Sequence, residues 1–270
     1  ANQVEDGSRT NGWYEIEGSQ DARSDGDTDW YFFDDGKAEK ANMNKDRVTV
    51  AGTNAVDSDG NAVYRARIKC DGKYFCFNEY GQMQTGLQWI GGYLYYFDSN
   101  GYMKTGKVAD VEEENSDVYT YYFETKSGGN GRGLRGLKDG YLYWNGKRLE
   151  ADDDYALYEV NGNTYLVNSK GKVQKSSKKY ALDIVDGEDV YVEISGSVVK
   201  KVAATVTQVG DGYNVTYSDK KDDAIAISNA NIGNLVNSGF IGTAEIYIYN
   251  NIFSPKTVGG EYTGKFYPVN

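Results

Sequence analysis

From residue 71 to residue 106 the side chains alternate with a period of two, and glycines cut the alternation at regular intervals. In GGYLYYFDSNGYMKTG (91–106), Tyr93, Tyr95 and Phe97 fall at one parity and Leu94 and Tyr96 at the other. A period of two is the mark of a strand, whose successive side chains point to opposite faces. A Gly-Gly step precedes the aromatic run and an Asp-x-x-Gly step follows it, so the segment predicts a β-hairpin closed by a second tight turn. Laid over DGKYFCFNEYGQMQTG (71–86), Gly72 meets Gly92, Phe75 meets Tyr95, Phe77 meets Phe97, Gly81 meets Gly101 and Met83 meets Met103. Each pair is 20 residues apart. The chain therefore carries a repeat.

Weaker copies flank this pair. VYTYYFETKSGGNGRGLRG (118–136) keeps the aromatic run behind an acidic insert, and GLKDGYLYWNGKRL (136–149) is a shortened copy. VNGNTYLVNSKGKV (160–173) preserves the spacing between its glycines, and NGWYEI (11–16) with DWYFFDDGKA (29–38) reads as one copy split by an insert. About six units precede residue 178. A lone hairpin is marginal in water, whereas stacked hairpins bury each other's faces. The expected fold is all-β: a β-hairpin solenoid of ~20-residue repeats over residues 1–178, followed by a compact, sandwich-like β domain over 179–270. In the latter, residues 181–219 show β-branched alternation with Asp-Gly turns, 243–251 read as a strand, and Ile232–Val236 as a short helical turn.

Composition agrees with that picture. There are 25 tyrosines and 33 glycines but only 2 prolines, as a turn-rich β protein with half-buried pleated surfaces requires. The net charge of −11 argues against nucleic acid and anionic membrane as partners. No run approaches the length of a membrane span, so no membrane insertion is expected. The chain opens on the polar ANQVEDGSRTNG, which reads as the start of a mature or trimmed piece of an exported precursor whose signal peptide has been removed.

Cys70 and Cys76 flank an Asp71-Gly72 hairpin signal. That turn would set Cys70 opposite Lys73 and Cys76 opposite Arg67, on opposite faces of the ribbon, so two free thiols are expected. The chain has no histidine, which excludes Ser-His-Asp and Cys-His catalysis and histidine-based zinc. No pair of carboxylates stands in a hydrolase motif, and the chain is read as a non-enzyme with no cofactor and no metal. DGDTD (25–29) and DSDGN (57–61) resemble calcium loops only faintly, because the glycine and glutamate positions are wrong, and solvated acidic turns are the simpler reading. EEEN (112–115) and DDD (152–154) read as soluble loop tips, and KSSKK (175–179) as a link between regions.

The unit GLQWIGGYLYYFDSNGYMKTG (86–106) resembles the cell-wall-binding repeats of Gram-positive surface proteins, a superfamily that takes in choline-binding, glucan-binding and clostridial-toxin repeats. Two units match closely and about four loosely, over about residues 11–178. The resemblance implies a secreted or cell-surface protein, and in the choline-binding branch an aromatic cage between successive hairpins. The family pattern places Trp after the Thr-Gly and an aromatic before the Tyr-Tyr of the next hairpin. Here Leu87, Lys107 and Leu137 follow the glycines, and Tyr74, Leu94 and Thr120 precede the aromatic pairs. Only the first unit keeps both elements, Gly12-Trp13 and Trp30-Tyr31, with Asp25, Asp27 and Asp29 nearby. Those two tryptophans form either a cage for a choline-like cation, at the first repeat only, or the cap of the repeat array.

Two readings of function follow. In the first, the chain is a binding module that attaches to cell-wall glycan or polymer through Trp13, Trp30, Tyr31, Trp89, Tyr93, Tyr95 and Trp144. In the second, the repeats are a spacer, and the C-terminal β domain contacts a host or protein partner.

Overall fold

A computed structural model describes residues 9–17, 28–50, 52–113, 116–127, 130–161, 163–183, 188–209 and 212–226. The described residues are strands, turns and short 3₁₀ segments, and the chain is all-β. The expected helical turn at 232–236 and strand at 243–251 lie outside them. The chain divides into two compact units, one ending at Gly133 and the other beginning at Leu134.

The first unit is a succession of hairpins. β1 (Gly12–Glu17) pairs with β2 (Thr28–Asp34), which continues into β3 (Lys37–Ala38). β4 (Thr49–Val50) and β5 (Thr53–Asn54) form a short hairpin. β6 (Ala66–Cys70) and β7 (Lys73–Phe77) continue into β8 (Met83–Gln84). β9 (Gly86–Ile90) pairs with β10 (Tyr93–Phe97), and β11 (Gly106–Glu112) with β12 (Val118–Phe123). At the β6–β7 turn Asp71 and Gly72 both have positive φ, 48° and 81°, as a two-residue turn that follows the strand twist demands. The register sets Cys70 against Lys73 and Cys76 against Arg67, and both thiols are free and buried.

Leaving β4–β5 aside, the hairpins stack in chain order by using alternate faces. Phe75 and Phe77 on one face of β6–β7 meet Trp13 and Phe32 of the first hairpin. Cys76 on the other face meets Tyr95 and Phe97 of β9–β10. Leu94 and Tyr96, on the remaining face of β9–β10, pack with Val111, Tyr121 and Phe123. The parity read from the sequence thus assigns each ring to its neighbour.

Between hairpins the Asx-x-x-Gly turn closes on its first side chain. Asp98 Oδ1 accepts the N–H groups of Asn100 and Tyr102 at 3.0 and 2.9 Å, and Asn78 Oδ1 those of Tyr80 and Gln82 at 3.0 and 2.9 Å. Asp57 Oδ1 accepts from Asp59 and Asn61 at 3.0 and 2.7 Å in the same pattern. DSDGN is therefore a repeat turn, and β4–β5 with this turn is a further copy. The sequence hid it because Asn54 and Val56 stand where β7 and β10 have Phe75 and Phe77, or Tyr95 and Phe97.

In the second unit β13 (Gly136–Lys138), β14 (Tyr141–Trp144) and β15 (Lys147–Arg148) form a meander, and β16 (Tyr155–Val160) pairs with β17 (Asn163–Asn168). β18 (Lys178–Ala181), β19 (Asp189–Ser195), β20 (Val198–Val209) and β21 (Gly212–Tyr217) make an antiparallel sheet, with β22 (Ala224–Ala226) paired to β20. Val190, Val192 and Ile194 alternate inward along β19 and share one core with Leu142, Leu157, Leu166 and Val173. The repeat-like hairpins of residues 134–178 and the sheet after them therefore bury a common apolar interior.

Candidate functional site

Two clefts in the first unit gather most of the aromatic candidates. The first holds about 270 Å³ and is lined by Trp13, Trp30, Phe75, Met83 and Tyr102, with Ser99 and Asn100 at its edge. Trp13 and Trp30 come from adjacent strands, whereas Phe75, Met83 and the turn bearing Tyr102 come from the following hairpins. The Trp13 ring is fixed by Phe32, Phe75 and Phe77 at centroid distances of 5.1, 4.4 and 5.9 Å. Trp30 is 42% exposed. A rigid half-buried indole beside an exposed one leaves π surface facing solvent, which suits a desolvated cation.

Charges frame this cleft. Lys73 Nζ stands 3.6 Å from the centre of the Tyr102 ring and takes one of its faces. Next to Trp30, the Asp29 carboxylate accepts from Gln82 Nε2 at 2.7 Å. Asp25 and Asp27 lie outside the described residues.

The second cleft, of about 560 Å³, contains Tyr93 and Tyr95. Their rings already face cations of the chain itself. The Arg67 guanidinium carbon lies 4.7 Å from the Tyr74 ring centre and 5.0 Å from that of Tyr95, and Arg132 lies 4.0 Å from Tyr93. Arg132 Nε donates to the Tyr95 hydroxyl at 3.4 Å, and this bond, ahead of the nearby tyrosines and Glu124, pushes the guanidinium's pKa upward. An internal guanidinium thus sits between two hairpins, where a bound cation would have to stack. Arg67 was not among the residues the sequence singled out, since its ring partners lie on different hairpins.

The remaining candidates serve packing. Tyr31 is 8% exposed, and its pKa is raised by burial first and by Asp29 second. Trp89 packs onto the Leu94 face among Val111, Tyr121 and Phe123. Trp144, in the second unit, lies against the core of that unit with the Arg135 guanidinium 5.1 Å from its ring. The seven candidates therefore do not form one site.

Neither thiol adds chemistry. Burial pushes Cys76 up to about 12, against a small opposing pull from Arg65. Burial, then Glu39 and Asp71, push Cys70 up to about 12 as well. Among the described residues no group of three or more His, Cys, Asp or Glu is placed to hold a metal.

Residues 84–132 match the family model of the choline-binding repeat. The match bears out the resemblance of this part of the chain to the cell-wall-binding repeats. The matched residues include β9–β10 and β11–β12, where Leu87 and Lys107 stand in the ring positions, while Trp13 and Trp30 lie before them. No curated protein matches the chain. Among solved structures, CbpJ of Streptococcus pneumoniae is 18% identical at a TM-score of 0.41, over 81% of this chain and 66% of that one. Choline-binding protein F of Streptococcus pneumoniae, in the presence of a peptidoglycan analogue, is 18% identical at 0.39, over 78% and 64%. CbpF in complex with ipratropium is 22% identical at 0.36, over 67% and 49%. The chain spans only 49% to 66% of these three proteins, and at such scores the likeness carries neither fold nor function.

Proposed function

We propose that the chain is a non-catalytic extracellular module that attaches to a cell-envelope polymer, and that its first-repeat cleft takes a choline-like quaternary ammonium group. The observation that carries this reading is the convergence of Trp13, Trp30, Phe75 and Tyr102 with the Met83 thioether on one cleft. A quaternary ammonium makes no hydrogen bonds, so a wall of rings recognises it without unpaired donors, at about 1–2 kcal/mol per desolvated contact. The sequence has no histidine, so the cleft offers no imidazole for acid–base chemistry.

Retention on an immobilised choline resin tests it. The full chain is expected to be retained and eluted by free choline, Trp30→Ala to lose retention, and Trp89→Ala, if folded, to keep it. Failure of the wild-type chain to bind, or equal retention of Trp30→Ala, would reject the cleft.

The burial of Tyr95, at 4% exposure, favours a second reading for the middle of the array. There the hairpins act as a spacer, presenting the C-terminal β region (179–270) to a protein partner.

A further inference from the structure

We infer that the second cleft of the first unit binds an anionic saccharide, one bearing a carboxylate or a phosphate, through Arg132 and Arg67. This goes beyond the cation-binding reading and does not depend on it, because the two clefts share no lining residue.

The chain carries a net charge of −11, yet this cleft is lined by Lys40, Lys45, Arg67 and Arg132 against only Glu39 and Asp46. Four cations against two carboxylates leave a local excess of two positive charges. Among the described residues, no ion pair is formed by any of the four cations. Asp46 directs one carboxylate oxygen to the Asn42 N–H at 2.8 Å, which closes the 42–46 turn.

The two arginines are held rather than loose. Arg67 lies between Tyr74 and Tyr95, and its Nη1 donates to the Asn130 carbonyl at 2.8 Å. Arg132 lies over Tyr93 and donates through Nε to the Tyr95 hydroxyl. These contacts use one nitrogen of each guanidinium, so the others keep donors for a ligand anion. Stacked guanidinium groups lose little side-chain entropy when an anion docks, and their forked donors match the geometry of a carboxylate or phosphate. The flanking Lys40 and Lys45 are exposed and act as steering charges.

The size and walls select a sugar rather than a bare ion. A cleft of about 560 Å³ far exceeds one anion and lies within the usual range for small-molecule sites. Ile90, Gly91 and the edge of Tyr93, 36% exposed, offer an apolar strip beside the cations for the face of a sugar ring.

The test is calorimetric titration of the full chain with three probes: a glucuronic-acid disaccharide, glucose 1-phosphate and a neutral glucose disaccharide. At least one anionic probe should bind about tenfold or more tighter than the neutral one, and the stronger of the two identifies the anion. Its affinity should fall as salt rises. Arg132→Gln should weaken that binding by about tenfold while choline-resin behaviour stays as in wild type. Should Arg132→Gln fail to fold, the surface pair Lys40→Gln/Lys45→Gln serves instead, with about a threefold loss expected. Equal binding of anionic and neutral probes, or unchanged affinity in the folded variant, would overturn the proposal.

Discussion

Met83 occupies the space in which a Cβ on Gly101 would stand, and the Phe75 ring lies 3.0 Å from the same point. Gly101 also has φ +79°, where a side chain is strained on its own account. The relationship recurs one repeat later, with Met103 and Tyr95 crowding Gly131. The methionine of one repeat thus locks onto the turn glycine of the next. Gly101→Ala is expected to cost about 2–4 kcal/mol in urea unfolding, from backbone strain plus overpacking. Met83→Ala/Gly101→Ala should recover the overpacking share, so the double-mutant cycle should show coupling of about 1 kcal/mol or more. Simple additivity would mean that the two residues do not interlock.

Lys73 competes for the face of Tyr102 that a ligand cation would use. Lys73→Gln removes a like charge from the cleft and frees that face. Choline affinity should rise roughly two- to fivefold, measured by titration of intrinsic tryptophan fluorescence. A fall in affinity would show that Lys73 shapes the cleft rather than opposing its ligand.

Cys76 keeps its proton in the fold, with its pKa pushed up from 9.0 to about 12 by burial. A raised folded pKa means that the unfolded chain ionises first, so the stability due to the neutral thiol is full below about pH 9. It is lost as pH rises toward about 12, at roughly 1.4 kcal/mol per unit. Urea melts of wild type and Cys76→Ala should therefore converge as pH is raised above 9, relative to their difference at pH 8. Iodoacetamide at pH 8 should label neither thiol until the chain is unfolded.

Asp57 spends its carboxylate on donors of its own turn, including Asn61 Nδ2 at 3.1 and 3.2 Å. Asp57→Ala should lower stability by about 1–2 kcal/mol, because two backbone N–H groups lose their acceptor. Neither calcium nor a chelator should shift the Tm of wild type, whereas a calcium site would raise it with ion concentration.

Local chemistry alone determined the hairpins. Asp71-Gly72 fixes a two-residue turn, the turn fixes the register, and the register places Cys70 and Cys76 on opposite faces, all within eleven residues. The 20-residue period likewise follows from ring, turn and methionine positions that the sequence displays openly. The copy at 48–61 escaped because Asn54 and Val56 replace the rings there, although the strand and turn physics is unchanged.

Tertiary structure decided what each ring does. Tyr31 and Trp30 are sequence neighbours, yet strand alternation sends one into the core and the other to the cleft. Whether Tyr95 faces solvent, a ligand or an internal cation depends on Arg67 and Arg132, 28 and 37 positions away, which meet it only when hairpins stack. Sequence sets the faces of each hairpin because turn and alternation are short-range. It cannot set the occupant of a face, because that is chosen by whichever charged side chain the neighbouring hairpin brings within reach.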